Sequence, residues 1–314
     1  MIPKALIHHG RQLGTFLGLI FLCLILWILT PYFLTVSNLL NILEQSSINA
    51  TIAVGMTFVI ITAGIDLSVG SMLAFSGVVL ASTLQAGVPL PVALLAGMLT
   101  GTLCGLLNGA LISIGRLPPF IVTLGMMSIA RGAALVYTNG RPISGFEQSF
   151  RWIATGKIFY IPMPLIVMFI VYFIAHIVLT RTKFGQYAYA MGGNEEATYL
   201  SGVNVRFHKT MVYALCGLTS AFAAILLTAR LNSAQPIAGI MYELDAIAAT
   251  VIGGTSLMGG EGTLVGTLIG ALIMGVLRNG LNILGVSSFL QQIIIGTVII
   301  IAVLLDTIMK KQKR

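Results

Sequence analysis

PMPLIVMFIVYFIAHIVLT, residues 162–180, is a run of 19 residues without one carboxylate, ammonium or guanidinium group, and Arg181 and Lys183 follow it directly. A helix of about 20 apolar residues crosses the hydrocarbon core of a bilayer. The run shows no alternation of polar and apolar positions, so it does not read as a barrel strand. Lipid offers an exposed backbone no hydrogen bonds, which leaves the helix as the consistent structure. The same pattern recurs on both sides of this stretch. Ten candidate spans emerge, at 13–34, 46–64, 70–87, 91–115, 118–138, 162–180, 209–230, 244–258, 263–283 and 288–306. The second, third and eighth are short, and Gly64 with Asp66, and Gly253, Gly254, Gly259 and Gly260, crowd their ends. Broken or re-entrant segments are expected there.

Composition agrees. The 314 residues are 57 % hydrophobic and 8 % charged, with a mean hydropathy of +0.99, which leaves too little polar surface for a water-soluble domain. The net charge of +8 does not gather into a basic nucleic-acid face; the basic residues punctuate the ends of apolar runs. With a cytosolic N-terminus, Lys4, Arg11, Arg116, Arg181, Lys183, Arg206, Lys209, Lys310, Lys311, Lys313 and Arg314 all fall on the cytosolic side. That is the positive-inside pattern, and it predicts an all-α polytopic bundle with both termini cytosolic. Arg131, Arg141, Arg151, Lys157, Arg230 and Arg278 form the outer minority. The run Leu13 to Leu29 follows Lys4, His8, His9 and Arg11 and lacks a small-residue cleavage site, so it reads as an uncleaved first span.

The whole chain, 1–314, reads as one transmembrane domain. Two loops are long enough to hold structure of their own, an outer one at about 139–161 and an inner one at about 181–208. Gly97, Gly101, Gly105 and Gly109 recur every fourth residue, and Gly262, Gly266 and Gly270 repeat the spacing. Small residues so placed let helix backbones approach closely in lipid; an internal duplication is the other reading of the echo. Cys23, Cys104 and Cys216 stand singly in apolar runs, as small buried hydrophobes do.

The absences exclude classes of chemistry. No phosphate-binding G-x-x-x-x-G-K-[ST] loop, no H-E-x-x-H pair, no His and Cys cluster and no G-x-S-x-G turn is present. Neither a cofactor nor a metal site is expected, and His176 stands alone as a packed or interfacial histidine. Three polar segments remain. In TRTKFGQYAYAMGGNEEATYLSGVNVRFHK, residues 180–209, Asn194 suits an N-cap, Glu195 and Glu196 suit the first turn, and Gly202 suits a left-handed stop. These predict a helix of about two turns, too short to persist in water unless something docks against it; a solvated connector is the plainer alternative. In TAGIDLSVGS, residues 62–71, Asp66 and Ser68 interrupt the apolar pattern. Asp66 either caps the helix starting near Leu67 or forms a polar step in a translocation path, and the two roles are compatible. In ARLNSAQPIAGIMYELDAIAA, residues 229–249, Asn232, Gln235, Glu243 and Asp245 join Arg230 around an outer turn, as interfacial ion pairs or as a gate. Asn49, Asn108, Asn279 and Asn282 lie in or beside spans and either bind helices together or line a path.

Taken together, NLLNILEQSSINATIAVGMTFVIITAGIDLSVGS (38–71), PPFIVTLGMMSIARG (118–132), YAMGGNEEATYLSGVNV (189–205), ARLNSAQPIAG (229–239), YELDAIAATVIGGTSLMGGEGTLVGTLIGALI (242–273) and NGLNILGVSS (279–288) resemble the permease subunits of bacterial ATP-binding-cassette importers for monosaccharides, above all those for ribose. The resemblance runs from about Phe33 to Asp306. It implies a homodimer in the inner membrane, with a cytosolic ATPase that uses ATP and Mg and a periplasmic sugar-binding protein. It gives the short inner helix the part of an ATPase-coupling segment, carried by Gly192, Gly193, Asn194, Glu195, Glu196, Ala197 and Gly202; Thr198 departs from the family's second alanine. Asn49, Asp66, Ser68, Asn232, Gln235, Glu243 and Asp245 are the candidates for the translocation path or gate. Permeases for xylose, arabinose, galactose and autoinducer-2 are closely similar. An ion-coupled secondary transporter, with Asp66 as its intramembrane acid, is the rival class.

Overall fold

A computed structural model describes the backbone of residues 4–311 and the side chains of residues 13–304. Lys313 and Arg314 lie outside the described residues, as do the side chains of Lys4, His8, His9, Arg11, Lys310 and Lys311. Helices α1 (Lys4–Leu29), α2 (Val36–Ile61), α3 (Val69–Gln85), α4 (Leu90–Ser113) and α5 (Pro119–Thr138) come first. A surface excursion follows, made of β1 (Ile143–Ser144), α6 (Gln148–Thr155), β2 (Lys157–Ile158) and β3 (Ile161–Pro162). Helix α7 (Met163–Arg181) then leads into two short helices, α8 (Lys183–Gly193) and α9 (Glu195–Leu200). The chain continues through α10 (Val205–Leu231), β4 (Ser233–Ala234), α11 (Tyr242–Ile252), α12 (Leu264–Ile283) and α13 (Ser288–Lys311). The only strands among the described residues form two short ribbons, β1 with β4 and β2 with β3.

The architecture is an all-α polytopic membrane bundle. α4, α5, α7, α10 and α12 are each long and apolar enough to cross a membrane, and Leu13–Leu29, Val69–Gln85 and Ser288–Leu304 are shorter apolar helical stretches. The burial pattern suits lipid: on α4, Leu95, Leu99, Leu103, Leu107 and Leu111 recur every fourth residue and are all exposed, while the glycine face of the same helix turns inward. α10 forms the centre, packed along α4, α2 and α3. A methyl group at Gly101 of α4 would overlap the carbonyl of Gly217 on α10, and one at Gly217 would overlap the carbonyl of Gly101. In lipid, where apolar burial gives little drive, such backbone contact supplies the association. The second glycine stripe works the same way, with α12 against α11.

Two sets of contacts mark the ends of the bundle. At one end Asn38 and Asn279 exchange amide hydrogen bonds at 2.8 and 3.0 Å, and the β1–β4 ribbon ties the 139–161 excursion to the end of α10. At the other, the Gly260 amide donates to the Ile61 carbonyl, and Ser113 and Thr210 share a hydroxyl hydrogen bond at 2.7 Å.

Two features depart from the hydropathy reading and one agrees with it. Helix α2 starts at Val36, ten residues before the expected 46, because Asn38, Asn41, Gln45 and Asn49 find side-chain partners and so sit inside a helix. The second span is therefore a continuous 26-residue helix rather than a short or broken one. The eighth is broken as expected: α11 has 11 residues, and the approach to it is non-helical, with Gly239 and Met241 both at φ +72°. The loop at about 181–208 holds two helices where one was expected. α8 is capped by Thr182, whose hydroxyl accepts from the Gly185 amide.

Candidate functional site

The short helix α9 is built as its sequence suggests. Asn194 Oδ1 accepts from the Ala197 amide at 2.9 Å, Glu195 and Glu196 occupy the first turn, and Gly202 follows at φ +84°, a conformation that costs a glycine little. Its six residues are a little short of two turns. Glu195 pairs with Lys209 at 2.5 Å across to α10. Gly192 packs so tightly on the Ile61 carbonyl that no side chain fits, whereas a Cβ at Gly193 would meet nothing within 4 Å. Tyr189, just before, donates to the Gly262 carbonyl at 2.7 Å; burial pushes its phenol up to about 12, so it remains a donor at neutral pH. α9, the turn after α4 and the start of α10 enclose a groove of about 660 Å³ whose walls include Arg116, Pro118, Glu195, Glu196, Tyr199 and Arg206. Tyr199 and Leu200 stand out from it, 67 % and 77 % exposed.

The Asp66 corner is interior. Asp66 and Ser68 are both inaccessible, and Asp66 Oδ1 accepts from the Ser68 amide at 2.9 Å and the Ser68 hydroxyl at 2.6 Å. Ser68 in turn accepts from Asn108 Nδ2 of α4 at 2.9 Å. Asp66 thus satisfies the amide of Ser68, the residue before α3, but does not cap the helix itself: α3 starts at Val69 rather than near Leu67, and its N-cap, Ser68, has no side-chain capping hydrogen bond. Asp66 Oδ2, Asn108 Oδ1 and the Tyr213 hydroxyl have no hydrogen-bond partner among the described residues.

The remaining polar candidates fall into three places. Asn232, at φ +51°, fastens the excursion by accepting from the Phe146 amide at 3.0 Å. Gln235 is exposed. Glu243 lies near Arg131, whose Nη1 donates to the carbonyls of Pro236 and Ala238, both at 2.7 Å; one guanidinium thereby holds the non-helical approach to α11. Asp245 is 1 % exposed. It accepts from Asn49 Nδ2 at 3.2 Å and, with both oxygens, from Arg278 Nη2 at 2.7 Å. Asn49 and Asp245 are therefore brought together, as are Asp66 and Ser68, and the two groups are separate.

Charge alone places Arg131 and Arg278 outside or near outer helix ends, yet both sit within helices and organise the polar interior. An arginine inside an otherwise apolar run is itself a signal, because lipid tolerates it only with a partner. His176 is exposed on α7. Cys104 and Cys216 are buried and Cys23 is partly so, none of them in a disulfide.

With this geometry in place, the comparisons with known proteins become specific. Residues 38–303 match a family described as the branched-chain amino acid transport system / permease component. The chain is 52 % identical over 300 residues to the ribose import permease protein RbsC of Escherichia coli K12, covering 94 % of this chain and 93 % of that one. It is 52 % identical over 298 residues to the ribose import permease of Bacillus subtilis 168, covering 94 % and 92 %. Against the D-allose transport system permease of Escherichia coli K12 the identity is 42 % over 300 residues, covering 95 % and 92 %. No solved structure matches. The chain therefore belongs to this family of transport-system permease components, as an integral membrane transport subunit alongside bacterial sugar import permeases.

Proposed function

We propose that this chain is the membrane-spanning subunit of an ATP-driven importer that carries ribose across the bacterial inner membrane. The observation that carries the reading is near-complete coverage at 52 % identity with ribose import permeases, against 42 % with the allose permease. Ten crossings with both termini cytosolic is the topology proposed. It is supported by eight apolar helical stretches, with the 26-residue α2 and the 11-residue α11 beside them, and by the separation of end contacts, Asn38 with Asn279 at one end and Ile61 with Gly260 at the other. The partners are a second copy of the chain, a cytosolic ATPase that uses ATP and Mg, and a periplasmic sugar-binding protein.

The ATPase would dock on the inner platform of Gly192 to Ala197 and Gly202. An exposed Tyr199 and Leu200 on a polar loop support this, since exposed apolar side chains beside charges suit a partner. Movement of that platform would rock the bundle between two access states, the energy coming from the partner.

Proteoliposomes test the reading. With the ATPase, the binding protein and ATP, radiolabelled ribose is expected to accumulate; with the permease alone, it is not. Accumulation without the ATPase, driven by an ion gradient, would overturn the importer and favour the ion-coupled class that the buried Asp66 brings to mind.

A further inference from the structure

Helix α2 carries Asn41, Gln45 and Asn49 at every fourth position, one stripe down a single face. In lipid an amide stripe is costly unless protein or water covers it. Partners from three other helices line up along it. Gln45 Nε2 and Arg230 Nη2 both donate to Asn41 Oδ1, at 3.0 and 3.2 Å, and Asn49 and Arg278 meet on Asp245. Tyr242 lies one turn before Asp245 on α11, near enough to feel the charges of Asp245, Arg278 and Arg230.

The cluster is asymmetric. The Asp245 side chain is 1 % exposed, whereas the Arg278 side chain it holds is 34 % exposed, so the acid is interior and part of the arginine side chain is accessible. Both Asp245 oxygens are satisfied. Arg278 Nε, a donor, and Asn49 Oδ1, an acceptor, are buried beside that same carboxylate without partners among the described residues. A donor and an acceptor left open on two residues that bond the same acid match a hydroxyl group, which accepts and donates at once. The Tyr242 ring adds an apolar surface of the kind that faces the C–H side of a sugar.

We propose that Asn49, Arg278 and Tyr242 form a contact station for a polyhydroxylated sugar on the translocation path, with Asp245 as the positioning residue that holds the Arg278 guanidinium. The inference rests on the sugar-importer reading. Arg278 is its specificity-determining donor, because a site that offers hydrogen bonds discriminates most strongly against a ligand lacking the matching hydroxyl.

The test uses the complete transporter in vesicles, assayed with ribose, its mono-deoxy analogues and a panel of other monosaccharides, beside binding-protein-stimulated ATP hydrolysis. For Arg278→Lys and Asn49→Ala, uptake is expected to fall about tenfold, the worth of one hydrogen bond to a charged group, and preference for ribose over a deoxy analogue is expected to flatten. Stimulated ATP hydrolysis is expected to fall by less than uptake does. Asp245→Asn, which keeps the shape but not the charge, should lose the same preference, and Asp245→Glu should restore part of it. Variants that keep wild-type uptake and preference overturn the station, as does a proportional loss of uptake and ATP hydrolysis with preference unchanged, which marks a purely structural role. A wild-type complex that transports none of the sugars overturns the importer reading and the station with it.

Discussion

Asp66 shows how one residue separates a structural role from a transport role. Its oxygen Oδ1 holds both polar groups of Ser68, and Ser68 is held from α4 by Asn108. Removing the carboxyl by Asp66→Ala leaves a buried amide and a buried hydroxyl without their acceptor, a cost of about 1–3 kcal/mol for such groups. The thermal midpoint of the detergent-solubilised permease is expected to drop accordingly. Asp66→Asn keeps an oxygen for Ser68 and adds a donor among the unpartnered oxygens nearby. It is therefore expected to retain ATP-driven uptake within about twofold, since the Ser68 bonds survive. An ion-coupled carrier that needed the proton of Asp66 would lose transport in the same assay.

At the scale of elements, glycine contact decides which helices can cross. Gly101→Val adds side-chain atoms where the Gly217 carbonyl already lies, so α4 and α10 must separate. A monodisperse, folded permease is not expected from this variant by size-exclusion chromatography. Gly125→Val on α5, with nothing within 4 Å of the position, is expected to leave the profile unchanged; equal profiles would refute the packing role of Gly101. Such stripes are legible in a sequence because they are periodic and local, and the same holds for the cap at Asn194 and the stop at Gly202. The start of α2 was not legible. Hydropathy scores Asn38, Asn41, Gln45 and Asn49 as breaks, and only partners far along the chain, such as Asn279 and Asp245, make them compatible with a helix. The pairing of Asp245 with Arg278 was hidden for the same reason: charge placement put both near helix ends, while the fold brings α11 and α12 together through glycine contact. α8 escaped because three of its eleven residues are glycines, which are weak helix formers.

For the molecule as a whole, the proposed topology fixes which surfaces face which compartment. The β2–β3 hairpin ends in Phe159 and Tyr160, each 92 % exposed, while Tyr199 projects from α9 at the opposite end of the bundle. The basic residues divide unequally between these ends, with Arg181, Lys183, Arg206 and Lys209 around α8 and α9, and such an excess marks the cytosolic side. Single cysteines at these tips report the sidedness, because the native Cys104 and Cys216 are buried and Cys23 can be replaced by serine as background. In intact spheroplasts a membrane-impermeant maleimide is expected to label Phe159→Cys at once and to spare Tyr199→Cys until the membrane is opened. Fusion of a reporter to the C-terminus should give the same side as Tyr199, since in the proposed topology four crossings, α10 to α13, follow it. Labelling of Tyr199→Cys from outside would invert the bundle and remove the inner platform from the reach of any cytosolic ATPase. Labelling of both tips from outside would instead require an odd number of crossings between α6 and α9, where α7 alone now stands, to become even, and a helix of 19 residues with the composition of α7 has no stable way to double back within the hydrocarbon.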